Sequence, residues 1–199
     1  MIKTGLSEIV ARAQNLRKGS SDFDLNPQFR PDQSVELRNA AVLLPFLQKD
    51  GDLFVILTKR SAALRHHPGQ IAFPGGKQDP GDADLVVTAL REAEEEIGLA
   101  RSNVTALTTL PPHETVTGFL VTPVIGKVCR DFTIRPEAGE VDEVFTVPYA
   151  FLARPENFSV QFRIWQGHRR AYYTVPWGPY YIWGATARIL RALAGGEGS

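Results

Sequence analysis

Residues 73–99 read FPGGKQDPGDADLVVTALREAEEEIGL and join a glycine-rich loop to a strongly acidic segment. Apolar residues recur within it at helical spacing, at Val86, Leu90, Ala93 and Ile97. This spacing predicts a helix from about Asp82 to Ile97 with one apolar face. Gly98 follows at the position where a left-handed residue commonly ends a helix, so we expect the helix to stop there.

Helix geometry separates the four glutamates of this segment into two groups. At about 100° per residue, Glu95 and Glu96 lie within about 60° of Glu92. Glu94 points to another side, about 160° away. Three carboxylates on one face repel each other unless a hard divalent cation lies among them. The pattern therefore predicts that Glu92, Glu95 and Glu96 bind Mg²⁺ or Mn²⁺, the cations that suit an all-oxygen site.

The loop before the helix gives this acidic face a chemical context. A glutamate-rich helix by itself is most simply a solvated surface, and two adjacent glycines by themselves are most simply a turn. Here Gly75 and Gly76 precede the acidic helix, and glycine lets the backbone approach a phosphate closely. Arg91 lies four residues before Glu95, within reach of a salt bridge that would fix that carboxylate. Together these features favour a catalytic site.

The rest of the chain alternates strand-like and helical segments. A short helix is indicated by Leu6, Ile9, Val10, Ala13 and Leu16, and a polar loop by residues 19–36. Apolar runs predict strands at 40–47, 53–58, 104–110, 119–128, 160–165 and 171–175, and a closing helix at 183–193. Asp50-Gly51 is a hairpin signal between the first two strands. This order predicts an α/β fold with a mixed sheet covered by helices on both faces.

Composition excludes several classes of partner. The 22 basic and 22 acidic residues give zero net charge, so no overall field attracts nucleic acid or an anionic membrane. Apolar stretches such as residues 40–44 are far too short to span a bilayer. A single cysteine, Cys129, excludes an internal disulfide and, with no signal peptide in evidence, indicates a cytoplasmic protein.

The acidic segment and its loop resemble the Nudix box. That motif consists of Gly, five residues, Glu, seven residues, Arg-Glu, an apolar residue, any residue, Glu-Glu, any residue, Gly and an apolar residue. The matching positions are Gly76, Asp82, Arg91, Glu92, Glu95, Glu96, Gly98 and Leu99. Asp82 stands where the motif has its first Glu, and eight residues instead of seven separate it from Arg91.

The flanking sequence is similar to that of one Nudix subgroup, the coenzyme A pyrophosphatases. Residues 57–61, 64–65 and 69–76 resemble the signature that precedes the box in that subgroup, and residues 115–119 and 182–187 fit it as well. The resemblance runs from about residue 40 to residue 193. It implies a Nudix-type α/β/α sandwich over residues 36–199, preceded by a helix and loop extension at residues 1–35.

The resemblance also implies a reaction. A divalent metal and a water molecule would split the diphosphate of coenzyme A (CoA), a small-molecule substrate, into 3′,5′-ADP and 4′-phosphopantetheine. One carboxylate must accept the proton of the water, and Glu95, Glu140 and Glu143 are the alternatives. Residues that surround the glycine loop in sequence are predicted to bind substrate, either at the diphosphate or at the 3′-phosphate: Lys59, Arg60, Arg65, Gly75 and Gly76.

Other interpretations stay open at this stage. A Nudix hydrolase of another diphosphate, such as ADP-ribose or a dinucleotide, would carry the same carboxylates, whereas a module that only binds nucleotides would have no need of them. His66 and His67 are predicted to be hydrogen-bonding loop residues, because zinc needs three or four convergent ligands. Trp177 and Trp183 are predicted to lie in the core, with stacking on adenine as the alternative.

Overall fold

Four α-helices and eleven strands form in the residues that the computed structural model describes, 5–31 and 36–195. The helices are α1 (Leu6–Asn15), α2 (Leu85–Ile97), α3 (Tyr149–Leu152) and α4 (Ala185–Leu193). The strands are β1 (Ser20–Ser21), β2 (Arg38–Lys49), β3 (Asp52–Arg60), β4 (Ile71–Ala72), β5 (Gly75–Lys77), β6 (Val104–Thr109), β7 (His113–Glu114), β8 (Phe119–Val128), β9 (Val141–Pro148), β10 (Ser159–Trp165) and β11 (His168–Thr174).

Strands β1 to β9 form one mixed sheet. Its main path runs β1-β7-β8-β2-β3-β4, while β5, β6 and β9 pair with β2, β8 and β3 respectively. The long central pair β2 and β8 is parallel, and β2 and β3 form an antiparallel hairpin. Its turn places Asp50 and Gly51 at φ values of 51° and 79°, the left-handed conformation that the Asp-Gly signal predicted. The last two strands, β10 and β11, form a separate antiparallel hairpin.

Helices cover both faces of the sheet, which confirms the predicted α/β class and its layers. Ala89, Ala93 and Ile97 of α2 pack on one face in a core that includes Leu43 and Ile56. The other face carries α1 and α4, whose buried residues pack around the sheet residues Leu44, Phe46, Val55, Leu57 and Ile125. Because both faces are covered, β2 is buried on both sides and reads as a nearly continuous apolar run.

Several sequence predictions needed correction. Helix α2 begins at Leu85 instead of near Asp82, because the Asp84 carboxylate accepts the backbone N–H of Val87 and so caps the helix. Strand β9 was not predicted, since its apolar and charged residues do not alternate regularly. The predicted loop 19–36 contains the short strand β1 and a 3-10 turn at Pro27–Phe29, and its residues 32–35 lie outside the described residues. Over the described ranges, no helix combines the length and apolar character that a membrane crossing requires.

Candidate active site

The glycine loop packs directly against the acidic face of α2. Strand β5 pairs with β2, which places Gly75 opposite Val42 and Gly76 opposite Ala41. From this position the backbone N–H of Gly75 donates a 3.1 Å hydrogen bond to Oε2 of Glu96. The two features that the sequence joined by spacing alone are therefore in contact.

Both glycines lie very close to other groups of the chain. A Cβ atom at position 75 would overlap the backbone of Ala41 and Val42, and one at position 76 would overlap the Glu92 carboxylate. In the second case the obstacle is a group of the acidic face itself. Any side chain at position 76 would therefore displace Glu92.

Arg91 ties the carboxylates of this site together. Its Nη1 donates to Oε1 of Glu92 at 3.0 Å and to Oε2 of Glu95 at 2.9 Å. Its Nε and Nη2 donate to the two oxygens of Asp82, each at 3.0 Å, and Nη2 also donates to the Lys77 carbonyl at 3.1 Å. The salt bridge to Glu95 predicted from the i,i+4 spacing is present, together with a second anchor that the spacing did not indicate.

Asp82 holds Arg91 instead of facing the three glutamates. Its side chain is only 5% exposed and also accepts a hydrogen bond from Thr88. The hydrogen bonds from Arg91 keep the pKa of Asp82 well below its usual range, so it stays ionised as the partner of the guanidinium. The residue that departs from the Nudix motif thus positions Arg91.

Burial distinguishes the three glutamates. Glu96 is 4% exposed, and this burial raises the pKa of its carboxyl group to about 7, with the nearby carboxylates of Glu92 and Glu140 adding to the effect. Burial also raises the pKa of Glu92. The Glu95 side chain is 56% exposed. Glu94 points to another side of the helix, as helix geometry predicted. There it pairs with Arg101 at 2.9 Å.

The donor set fits a hard divalent cation. Carboxylates that lie close together and repel one another are stabilised when a cation binds between them. Oxygen is the ligand that Mg²⁺ and Mn²⁺ prefer. Within residues 5–31 and 36–195, no three acidic, His or Cys side chains already stand at coordinating positions. Arg91 binds one oxygen of Glu92 and one of Glu95, which leaves the second oxygen of each carboxylate without a contact to Arg91.

The structure separates the two alternatives for a base on the segment 140–144. Glu140 lies close enough to raise the pKa values of both Glu92 and Glu96. Glu143 belongs to β9, where it shares a face with Phe145, and Tyr180 stacks on that ring and donates a hydrogen bond to the Glu143 carboxylate. Phe145 is part of the core on the face opposite α2. The charge of Glu140 therefore acts on the acidic site, whereas the Glu143 carboxylate is bound by Tyr180 on the opposite face of the sheet.

The three basic residues predicted to bind substrate differ in their position relative to the carboxylates. Arg60 is near enough to Glu96 to oppose the effect of burial on its pKa, and the buried Nε of Arg60 has no hydrogen-bond partner in the described parts of the chain. Lys59 is opposite Glu143 in the sheet, and Arg65 is exposed in the loop after β3. Of the three, only Arg60 is brought to the carboxylates.

The remaining sequence predictions concern histidines and tryptophans. His66 and His67 are exposed loop residues. Partial burial of the His67 ring, together with the charge of Arg60, lowers the pKa of His67. Trp177 packs against the core beside Phe151, as expected. Trp183 instead lines a cavity on the α4 side of the sheet. Arginines 163, 170 and 188 line the same cavity, and the sequence pattern gave no reason to select them.

Comparison with known proteins adds an independent line of evidence. The family model of the NUDIX domain matches residues 37–169. The uncharacterized Nudix hydrolase NudL of Enterobacter sp. (strain 638) is 38% identical over 192 residues, covering 95% of this chain and 93% of the relative. NudL of Escherichia coli (strain SMS-3-5 / SECEC) is 40% identical over 174 residues, covering 85% and 88%. A Nudix hydrolase structure from M. smegmatis, RenU, matches with a TM-score of 0.50 and 27% identity over 58% of this chain and 73% of that one.

Proposed function

This chain belongs to the Nudix family and is a hydrolase of phosphoanhydride bonds in nucleoside diphosphate derivatives, and we propose that its substrate is coenzyme A or an acyl derivative of it. The products would be 3′,5′-ADP and 4′-phosphopantetheine or its acyl form. Water attacks one phosphorus of the diphosphate, the phosphoanhydride bond breaks, and the proton of the water passes to a carboxylate.

The observation that carries the proposal is the contact between the glycine loop and the acidic face. The N–H of Gly75 donates a hydrogen bond to Glu96. The Glu92 carboxylate occupies the space that a side chain at position 76 would need. A diphosphate lying along this loop would meet backbone instead of side chains, within reach of the three glutamates. Catalysis of phosphoryl transfer depends mostly on positioning the phosphate and on stabilising its charge electrostatically.

Glu92, Glu95 and Glu96 would hold the metal. A bound Mg²⁺ or Mn²⁺ supplies charge stabilisation to the diphosphate oxygens. Arg91 sets the rotamers of Glu92 and Glu95, and Asp82 in turn fixes Arg91. Arg60, whose charge acts on Glu96 and whose buried Nε has no partner among the described residues, would donate to the diphosphate.

Glu140 is our preferred proton acceptor. The charge of Glu140 raises the pKa values of both Glu92 and Glu96, and the residue is exposed, so that a water molecule can reach it. Glu95 is the alternative on the helix. Glu143 is disfavoured because Tyr180 already binds its carboxylate on the other face of the sheet.

The choice of coenzyme A rests on residues 57–76. This stretch resembles the signature of coenzyme A pyrophosphatases, and it ends at Gly75 and Gly76, where the N–H of Gly75 donates to the Glu96 carboxylate. We expect a higher kcat/KM for CoA than for ADP-ribose or a dinucleoside polyphosphate, measured with Mg²⁺ and with Mn²⁺. A preference for ADP-ribose would leave the carboxylate site intact and remove coenzyme A as the substrate.

Metal dependence is tested by chelation. After treatment with excess chelator and desalting, we expect negligible hydrolysis and recovery on addition of Mg²⁺ or Mn²⁺, because the carboxylate face offers hard oxygen ligands. Full turnover in excess chelator would contradict the assignment of a metal to this face.

A further inference from the structure

A cavity on the α4 side of the sheet lies outside the carboxylate site. Its volume is about 340 Å³, within the range of small-molecule sites, about 300 to 1,000 Å³. Its lining comes from residues 21–26, residues 67–73, residues 115–121, the β10-β11 hairpin and the beginning of α4. Val42 of β2 also lines it. Val42 is paired with Gly75, so the cavity reaches the glycine loop from the side opposite α2.

Two arginines of the hairpin face this cavity as a directly opposed pair. Arg163 on β10 and Arg170 on β11 are Cα partners in the antiparallel register, so their side chains project from the same face. Like charges directly opposite each other destabilise a strand pair. Neither guanidinium forms a salt bridge with a carboxylate anywhere in residues 5–31 and 36–195. An anion between them would remove the repulsion.

Aromatic rings hold both guanidinium groups in place. Arg170 lies between the rings of Phe29 and Trp165, with its Cζ 4.4 Å and 4.3 Å from the two centroids. The Cζ of Arg163 lies 4.9 Å from the Trp183 ring. Stacking occupies the faces of a guanidinium and leaves its N–H groups at the edge for an acceptor. Consistent with this, the buried Nε of Arg170 has no acceptor among the described residues.

The hairpin that carries the two arginines is hydrogen-bonded to the loop after β1. The side chain of Asn26, 4% exposed, both donates to the carbonyl and accepts from the N–H of Ala171, each at 2.8 Å. The third arginine of the cavity, Arg188, is bound to Asp24 at 2.8 Å. The opposed pair thus lines the cavity together with an arginine that already has a carboxylate partner.

We propose that Arg163 and Arg170 bind a phosphomonoester on the nucleoside half of the substrate. For coenzyme A this group is the 3′-phosphate of the ribose. The assignment to that phosphate rests on the proposed function, since it needs a substrate whose diphosphate lies on the glycine loop while its nucleoside enters the cavity. Bidentate contacts from arginine are suited to a phosphate dianion. This assignment replaces Lys59 and Arg65, which do not line the cavity.

The test compares ligands that differ only in that phosphate. Calorimetry would measure the affinities of 3′,5′-ADP and 5′-AMP for the full chain without metal, and kinetics would give kcat/KM for CoA and dephospho-CoA. Hydrogen bonds to charged groups predict that the wild type prefers the extra phosphate by about 10- to 100-fold. Arg170→Met and Arg163→Met should each lower this ratio about tenfold or more, and high salt should lower it in the wild type.

Arg169→Met is the matched control. Arg169 is the chain neighbour of Arg170 but lies on the other face of the hairpin, over Phe162. It should keep the wild-type ratio. Arg170→Lys retains the charge and loses the planar fork, so it should lower the ratio partly, and it serves if Arg170→Met does not fold.

The outcomes separate the two proposals. A wild-type ratio near one, or equal losses in Arg169→Met and Arg170→Met, overturns the arginine site even if CoA is hydrolysed. Failure to hydrolyse CoA, together with a 3′,5′-ADP preference that Arg170→Met abolishes, overturns coenzyme A as the substrate and supports the phosphomonoester site.

Discussion

Arg91 shows how one residue organises the acidic face. A single guanidinium reaches Asp82, Glu92 and Glu95, and its side chain is only 13% exposed. With Asp79 at 3.8 Å as a fourth carboxylate, the anions around this one cation hold a geometry that the glutamates alone would oppose by repulsion. Metal binding would then compete with Arg91 for Glu92 and Glu95. The site is therefore preorganised but adjustable at these two side chains.

The glutamates of α2 give the first prediction at the residue scale. Glu95→Gln and Glu96→Gln should each lower kcat by on the order of 10²-fold or more, because each removes charge from the site that stabilises the transition state. Glu94→Gln should change kcat little, since Glu94 binds Arg101 on another side of the helix. Steady-state kinetics on the three folded variants decides the matter. Equal losses at Glu94 and Glu96 would contradict the assignment.

A second prediction concerns the space at Gly76. Gly76→Ala should lower kcat/KM by about 10²-fold, because its Cβ displaces the Glu92 carboxylate and small displacements of catalytic groups cost about that much. Gly81→Ala is the matched control, since a Cβ there meets no atom within 4 Å. Activity is measured beside thermal unfolding. Unchanged activity in Gly76→Ala would show that Glu92 is free to move without consequence.

At the scale of elements, α2 is a helix with both ends specified. Asp84 caps its first turn, and Gly98 ends it at φ 72° with its N–H bonded to the carbonyls of Ala93 and Glu94. The apolar stripe between them packs on the sheet, so the acidic face is left at the edge where β5 arrives. The orientation of the carboxylates thus follows from burial of the opposite side of the same helix.

The cap gives a prediction about stability. Asp84→Ala should lower the free energy of unfolding by about 1 kcal/mol, because the N–H of Val87 loses its acceptor. Urea denaturation measures the change, with Asp131→Ala, an exposed aspartate in the segment after β8, as the control. If both variants lose the same stability, the cap is not the cause.

At the scale of the whole molecule, the loop after β1 and the hairpin after the sheet meet. Asn26 and Ala171 are 145 positions apart in sequence and exchange two hydrogen bonds. This contact joins the predicted N-terminal extension to the cavity with the opposed arginines. The extension therefore helps to build a site as well as covering the core.

Loss of this contact should be felt in both stability and binding. Asn26→Ala should lower the free energy of unfolding by about 1 to 3 kcal/mol, because it leaves the N–H and carbonyl of Ala171 without their partner. It should also weaken binding of 3′,5′-ADP, because the loop that carries Phe29 loses its hydrogen bonds to the strand that carries Arg170. Asn39→Ala is the comparison, because Asn39 makes an exposed bond of 3.4 Å to Gln78. Equal effects of the two substitutions would argue against the anchor.

The sequence by itself determined the local features of this protein. It predicted α2 and the Gly98 terminus, the Asp50-Gly51 turn, the separation of Glu94 from the other three glutamates, and most strands. Each of these depends on residues a few positions apart, whose relative directions are fixed by the period of a helix or strand. The pairing of Arg91 with Glu95 belongs to the same class.

Only the tertiary structure decided which distant residues share a site. It placed Arg60 and Glu140 beside Glu96, turned Glu143 to the opposite face, and brought Arg163 and Arg170 to a cavity with residues 21–26. Strand β9 shows why: its order along the chain does not reveal its partner, and a shift of one residue in register would exchange its two faces. Register and pairing are set by how the two cores pack, which is a property of the folded chain and not of any short stretch of it.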